Sequence, residues 1–181
     1  MQTFLSIDLD FWLGLKADRV DRDLNRIVRH CRHRNIPVAA VMNHQQMMPA
    51  VSASPARRLL NVDAHDDLII EPESLGCGSW VSFVEWAPQG TYEWIRRGSL
   101  SDGSCDGRIR WRSRNHGTNW NRIRARKLRE FPFEELQNDI VEVGLCMSPG
   151  YCDFRHRHDE VFREVIRRYW IPYRRGRLRD I

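Results

Sequence analysis

The chain has 181 residues, 41% of them hydrophobic, with a mean hydropathy of −0.58, which is the length and composition of one soluble globular domain over 1–181. No run approaches the roughly 20 consecutive apolar residues of a bilayer span. The opening segment Met1–Asp8 runs straight into acids rather than into a signal-peptide pattern, so a cytoplasmic protein with no membrane partner is expected. The net charge of +5 is carried almost wholly by arginine, with Lys16 and Lys127 the only lysines.

The elements follow in chain order. Phe4–Trp12 reads as a buried first strand ending in acids, and Asp18–Arg34 as an amphipathic helix with Val20, Leu24, Ile27, Val28 and Cys31 on one face. Asn35 and Pro37 end that helix. Pro37–Met42 is a second strand leading to Asn43-His44-Gln45-Gln46, with a short helix over Gln46–Ser52. Arg58–Val62 is a third strand that delivers Asp63. Ser74-Leu75-Gly76-Cys77-Gly78-Ser79-Trp80 reads as a glycine-rich loop, and Val81–Trp86 as a helix or strand. Gly98–Asp106 is turn-rich, a surface excursion. Phe133–Leu136 is a linker or short helix, Asp139–Leu145 a late buried strand that Ser148-Pro149-Gly150-Tyr151 breaks, and Asp159–Tyr169 a last helix. Strands alternating with helices predict an α/β fold, three-layer α/β/α, with a mostly parallel sheet.

Five cysteines with no C-x-x-C pair point to reduced thiols rather than to a disulfide framework. Arginines crowd Arg108–Arg129 and the tail from Arg167 to Arg177. They read either as an electrostatic footprint for nucleic acid or an acidic peptide, or as decoration of solvated faces. No nucleic-acid module stands beside them, so nucleic acid is not the expected partner.

Polar residues collect at the strand ends: Asp8 and Asp10, then His44, then Asp63, His65 and Asp67, then Glu142. In a parallel sheet such tips share one crevice. Spacing of two in Asp63-Ala64-His65-Asp66-Asp67 would aim three side chains the same way on an extended backbone. Carboxylates mixed with imidazole suit manganese, iron or zinc, and Asp8, Asp10, His44, Asp63, His65 and Asp67 suffice for a two-metal site that activates a bridging water. Other readings stay open. Asp8-Leu9-Asp10 could begin an aspartyl-phosphate phosphatase, although Phe11-Trp12 follows it and no lysine is well placed. His44 could be a core histidine. Glu142, costly inside an apolar strand, either faces a cationic substrate or pairs with Arg or His.

These blocks resemble a family. Asp63-Ala64-His65-Asp66-Asp67 is similar to the D-A-H-x-D signature of the arginase/ureohydrolase-deacetylase superfamily, and Ser6-Ile7-Asp8-Leu9-Asp10 to its S-x-D-x-D motif. Asp139-Ile140-Val141-Glu142-Val143 is similar to its D-I-x-E-V segment. Ile7–Phe11, Asn43-His44-Gln45-Gln46 and Leu145–Tyr151 together resemble the peptide arginases. The resemblance implies an arginase-like fold and two Mn²⁺ ions. His44, Asp63, Asp67 and Asp8 would hold one ion, and Asp63, His65, Asp8 and Asp10 the other, with Asp63 and Asp8 bridging. Glu142 would receive the guanidinium, Asp67 would ferry a proton, and Gly78, Ser79 and Trp80 would line the substrate mouth, unless Trp80 simply packs. The implied reaction hydrolyses arginine in a ribosomally made precursor peptide to ornithine and urea. Two departures stand out. The S-x-D-x-D strand precedes D-A-H-x-D instead of following it, and the family's H-G histidine is missing, with His116-Gly117 the only downstream pair. Another amidine or amide hydrolase on this scaffold (free arginine, agmatine or acyl-lysine), or a basic non-enzymatic binding protein, are the competing classes. The sequence does not give the oligomeric state.

Overall fold

The computed structural model describes residues 1–12, 15–68, 75–76, 78–97, 120–137 and 139–147. The turn-rich stretch after Arg97, the arginines before Trp120, His116-Gly117, Ser148–Tyr151, the tail helix, Cys77, Cys105 and Cys152 lie outside these residues.

Among the described residues, six strands form one parallel sheet: β1 (Thr3–Asp8), β2 (Val38–Val41), β3 (Arg58–Val62), β4 (Thr91–Arg97), β5 (Arg122–Leu128) and β6 (Ile140–Cys146). Their order across the sheet is β2-β6-β1-β3-β4-β5. The central strand β1 is buried along its whole length, as a strand flanked on both sides and covered on both faces must be. Because every strand runs the same way, all the carboxyl ends face one edge of the sheet.

The expected α/β fold with a parallel sheet is found, with modest helical cover among the described residues. On one face, α1 (Ala17–His33) packs Val20, Leu24, Ile27, Val28 and Cys31 against Leu5, Ile7, Leu60, Val62, Val143 and Leu145. Its end has a direct local cause. Asn35 takes a left-handed φ of 52°, and the amides of Asn35 and Ile36 return to the carbonyls of Arg32 and Cys31, satisfying the last turn. On the other face lie a short helix, α2 (Met48–Ala53), and 3-10 turns over Trp80–Phe83 and Ala87–Gln89. Met47, Val51, Trp80, Val81, Tyr92 and Trp94 fill that side. Val81–Trp86 is therefore a turn followed by loop rather than a regular helix or strand. Among the described residues no helix is long and apolar enough to cross a membrane.

Two strands, β4 and β5, are not legible in the sequence. β4 is interrupted by a charge, Glu93, which hides an otherwise apolar run. That carboxylate is buried against Arg58 (2.8 Å) and Arg126 (2.6 Å), and Glu135 pairs with the same two arginines. β5 alternates Arg122, Ile123, Arg124, Ala125 and Arg126, with Arg122 and Arg124 exposed. Charged residues on an edge strand discourage pairing with a second chain. Part of the arginine crowd is therefore a sheet edge and an internal ion-pair cluster.

Candidate metal centre

The ends of β1, β2 and β3, with the short turns that follow the first two, build the site. β1 ends at Asp8, and the chain turns at once into a 3-10 turn, Leu9–Trp12. The amide of Asp10 donates to Asp8 Oδ1 at 3.0 Å, fixing both carboxylates at the strand's end. After β2, the turn His44–Met47 carries His44. Gln46 Oε1 accepts the amides of Met42 and Asn43 at 3.0 and 3.1 Å, so the Asn-His-Gln-Gln block braces its own turn. Gly144 of β6 allows this turn to lie on the sheet. A Cβ there would stand 2.1 Å from Met47 Sδ.

β3 ends at Val62, before the acids, which corrects the expectation of an extended run through Asp67. The residues converge through local hydrogen bonds instead. His65 N donates to Asp63 Oδ1 at 2.7 Å and Ala64 N to Asp10 Oδ1 at 3.0 Å. Asp63 is further tied by Asn61 Nδ2 (3.2 Å to Oδ2) and by Trp94 Nε1 (3.0 Å to its carbonyl). Asp67 stands at a left-handed φ of 47°, a conformation rare for a residue with a Cβ and frequent where function over-determines the backbone. Asp66 is turned elsewhere, its Oδ1 accepting Leu68 N and its carbonyl accepting the Tyr92 hydroxyl.

All six expected ligands meet in one crevice. His44 Nδ1 lies 3.2 Å from Asp8 Oδ2, 3.0 Å from Asp63 Oδ2 and 2.7 Å from Asp67 Oδ2. Its Nε2 stands 2.9 Å from Ser6 Oγ. His65 Nδ1 lies 2.8 Å from Asp10 Oδ2 and 3.7 Å from Asp63 Oδ1. Ligand atoms group compactly as His44/Asp63/Asp67 and as Asp10/Asp63/His65, with Asp63 common to both. Five of the six are buried and His65 is half-exposed, so the crevice meets solvent beside His65.

The electrostatics are those of crowded carboxylates. Burial, then the charge of Asp63, lifts Asp8 to about 7. Burial also raises Asp10, and burial with the charge of Asp63 raises Asp67 well above its ordinary range. Asp63 is the exception. Burial opposes its ionisation, but His44 and His65 outweigh that and hold it low. Burial works against protonated His44, yet Cys146, Asp67 and Asp63 outweigh it and raise the imidazole well above its usual value. Hydrogen bonding to Asp10 and Asp63 raises His65 to about 11.

This donor set fits divalent cations. One ring nitrogen carries at most one hydrogen, yet three carboxylate oxygens stand within 3.2 Å of His44 Nδ1. Asp10 Oδ2 is buried with His65 Nδ1 2.8 Å away, so both offer a ligand atom to the same point. Shared Asp63 between two groups is what paired ions require. Nothing in the chemistry singles out manganese.

The remaining expected residues are placed differently. Glu142 is not at a strand end. It pairs in register with Phe4, four residues before Cys146, about 13 Å down the strand from the crevice at the usual rise. It leans on Ser54, and burial raises its pKa. Trp80 is fully buried rather than lining a mouth: its Nε1 donates to Asp67 Oδ2 at 2.6 Å and its ring stacks obliquely 5.0 Å from His44. Ser79 is buried and bonded to Gly76, and Gly78 is half-buried. Sequence reasoning passed over Cys146, grouped with Asp8 and His44, together with Ser6 and Asn61. Cys146 sits at the end of β6 opposite Asp8, and that strand-end position was the available signal.

No family model, curated protein or solved structure matches the chain, so the likeness to peptide arginases rests on the motif residues alone.

Proposed function

We propose that this chain is a metal-dependent hydrolase of the ureohydrolase type, acting on the guanidinium of arginine residues in a ribosomally made peptide to leave ornithine and release urea. The observation that carries the hydrolase reading is the convergence of Asp8, Asp10, His44, Asp63, His65 and Asp67 into two groups that share Asp63. The peptide-arginine substrate draws its support from the motif resemblance.

Asp8, His44, Asp63 and Asp67 would hold one ion, and Asp10, Asp63 and His65 the other. Two divalent ions held there, manganese in the resembled family, would supply Lewis acidity and lower the pKa of a bound water. The chain's own part is positioning and proton handling. Ser6 beside His44 Nε2 leaves Nδ1 facing the carboxylates. Trp80 holds Asp67 in its left-handed turn, from which its carboxylate would pass a proton to the departing amine. The burial of five ligands excludes bulk water, and His65 marks the side from which substrate enters. Glu142, withdrawn to mid-strand, has no part in this mechanism, so a different group meets the guanidinium.

The test incubates the full chain with Mn²⁺ and arginine-containing peptides, beside free arginine, agmatine and acyl-lysine peptides. Loss of CH2N2 per arginine with release of urea is expected, and Asp63→Ala should abolish both metal binding and turnover. Turnover of acyl-lysine alone would replace the substrate. A metal-loaded chain inert towards the whole panel would sink the hydrolase reading.

A further inference from the structure

Cys146 groups with Asp8 and His44 but lies outside the ligand set of the proposed reaction. One carboxylate oxygen of Asp8, one ring nitrogen of His44 and Cys146 Sγ lie within 4.8 Å of one another. Cys146 is the last residue of β6 and is fully buried. The register holds it opposite Asp8 on one side and Val41, at the end of β2, on the other. Its Sγ is 3.8 Å from the carbonyl of Met42, to which the thiol is a weak donor. A second observation comes from the same position: His44 Nδ1 stands within 3.2 Å of oxygens of Asp8, Asp63 and Asp67 yet carries at most one hydrogen, as expected where a cation is the missing partner.

We propose that Cys146 is a metal ligand, and that its thiolate makes the two ion positions chemically unlike. One position, with Asp8 and His44, offers sulfur, nitrogen and oxygen. The other, with Asp10, Asp63 and His65, offers oxygen and nitrogen only. Thiolate selects thiophilic ions, whereas carboxylate-rich sites suit manganese and magnesium. The sulfur-bearing position therefore takes zinc or iron(II), and the pair is mixed rather than two manganese ions. This inference rests on the proposed two-metal site and refines which ions it holds. Cys31, the other thiol among the described residues, is on the buried side of α1 in the core of the opposite face, where burial pushes it up to about 12, so it does not compete.

The test titrates chelator-stripped full-length protein with Co²⁺. A near-ultraviolet thiolate-to-cobalt charge-transfer band should grow with the first ion bound and be absent in Cys146→Ser. That variant should still bind cobalt at the oxygen-rich position and should lose at least roughly ten-fold in zinc affinity, more than in manganese affinity. A second variant with Cys77, Cys105 and Cys152 changed to Ser should keep the band, which tests the assignment even if Cys146→Ser fails to fold. Two cobalt ions bound with no such band, or a band that persists in Cys146→Ser, would overturn thiolate ligation while leaving the two-metal site standing. A wild-type chain that binds no ion overturns both.

Discussion

His44 Nδ1 faces three aspartate oxygens at 2.7 to 3.2 Å, and that crowding organises the centre. Each neighbour restrains one member of it. Ser6 meets the far nitrogen of His44, Trp80 ties Asp67, and Asn61 ties Asp63. Glu142 belongs to none of this. Its raised pKa means that the fold favours the neutral acid, so its contribution to stability is present below the unfolded pKa and is lost as pH rises through the folded one. Glu142→Gln keeps the shape without the ionisation. It should leave metal stoichiometry and turnover unchanged and raise the thermal midpoint above neutral pH. A variant that folds, binds two ions and yet loses turnover would restore Glu142 to the active site. The metal ligands were legible because each sits within a few residues of an apolar run. Glu142 misled because polarity inside an apolar segment reveals burial but not position along the strand, and the register with Phe4 is tertiary information.

At the level of elements, the turn that carries His44 depends on a glycine in another strand. Gly144 leaves room for Met47, and a Cβ would also stand 3.1 Å from Phe4. Gly144→Ala should lift the turn from β6, costing about 1–3 kcal/mol of stability by overpacking and weakening metal binding, read by thermal melts and metal titration. Unchanged stability and affinity would show that the turn adapts. β1, α1, β2, β3 and β6 were legible from runs and periodicity. β4 and β5 were not, because their charges looked like surface. Glu93 and Arg126 are instead held within the network with Arg58 and Glu135, which joins β3, β4, β5 and the 3-10 turn Phe133–Gln137. No short stretch of sequence contains Glu93 together with either of its arginines. The convergence of Asp63, His65 and Asp67 was likewise foreseen for the wrong reason, since a bent loop and not an extended strand brings them together.

For the whole molecule, the ion-free centre sets a pH dependence. Asp8 is held at about 7 against an ordinary 3.8, and His65 at about 11 against 6.5. Both groups bind protons more tightly folded than unfolded, so each adds stability that is complete below its ordinary pKa and is lost as pH rises through the folded one. Asp63 has the opposite sign, but its window lies below 3.8. The thermal midpoint of chelated protein should therefore fall from about pH 5 to about pH 9. Saturating divalent metal should displace those protons and flatten or reverse the trend. A chelated protein whose midpoint rises over that range would contradict the protonation scheme.

The strand order has one more consequence, for the time at which the centre comes into being. Among the described residues β2 has a single neighbour in the sheet, β6, and β6 in turn lies between β2 and β1. His44, which follows β2, therefore has no fixed place beside Asp8 and Asp63 until a segment about a hundred residues later has docked. Such long-range closure is slow compared with local contacts. An emerging chain would carry all six acid and imidazole groups well before it could gather them around an ion. Tight metal capture would then mark a chain whose last described strand is already in place, and a nascent or partly folded copy would be spared from trapping a cation in a half-built site.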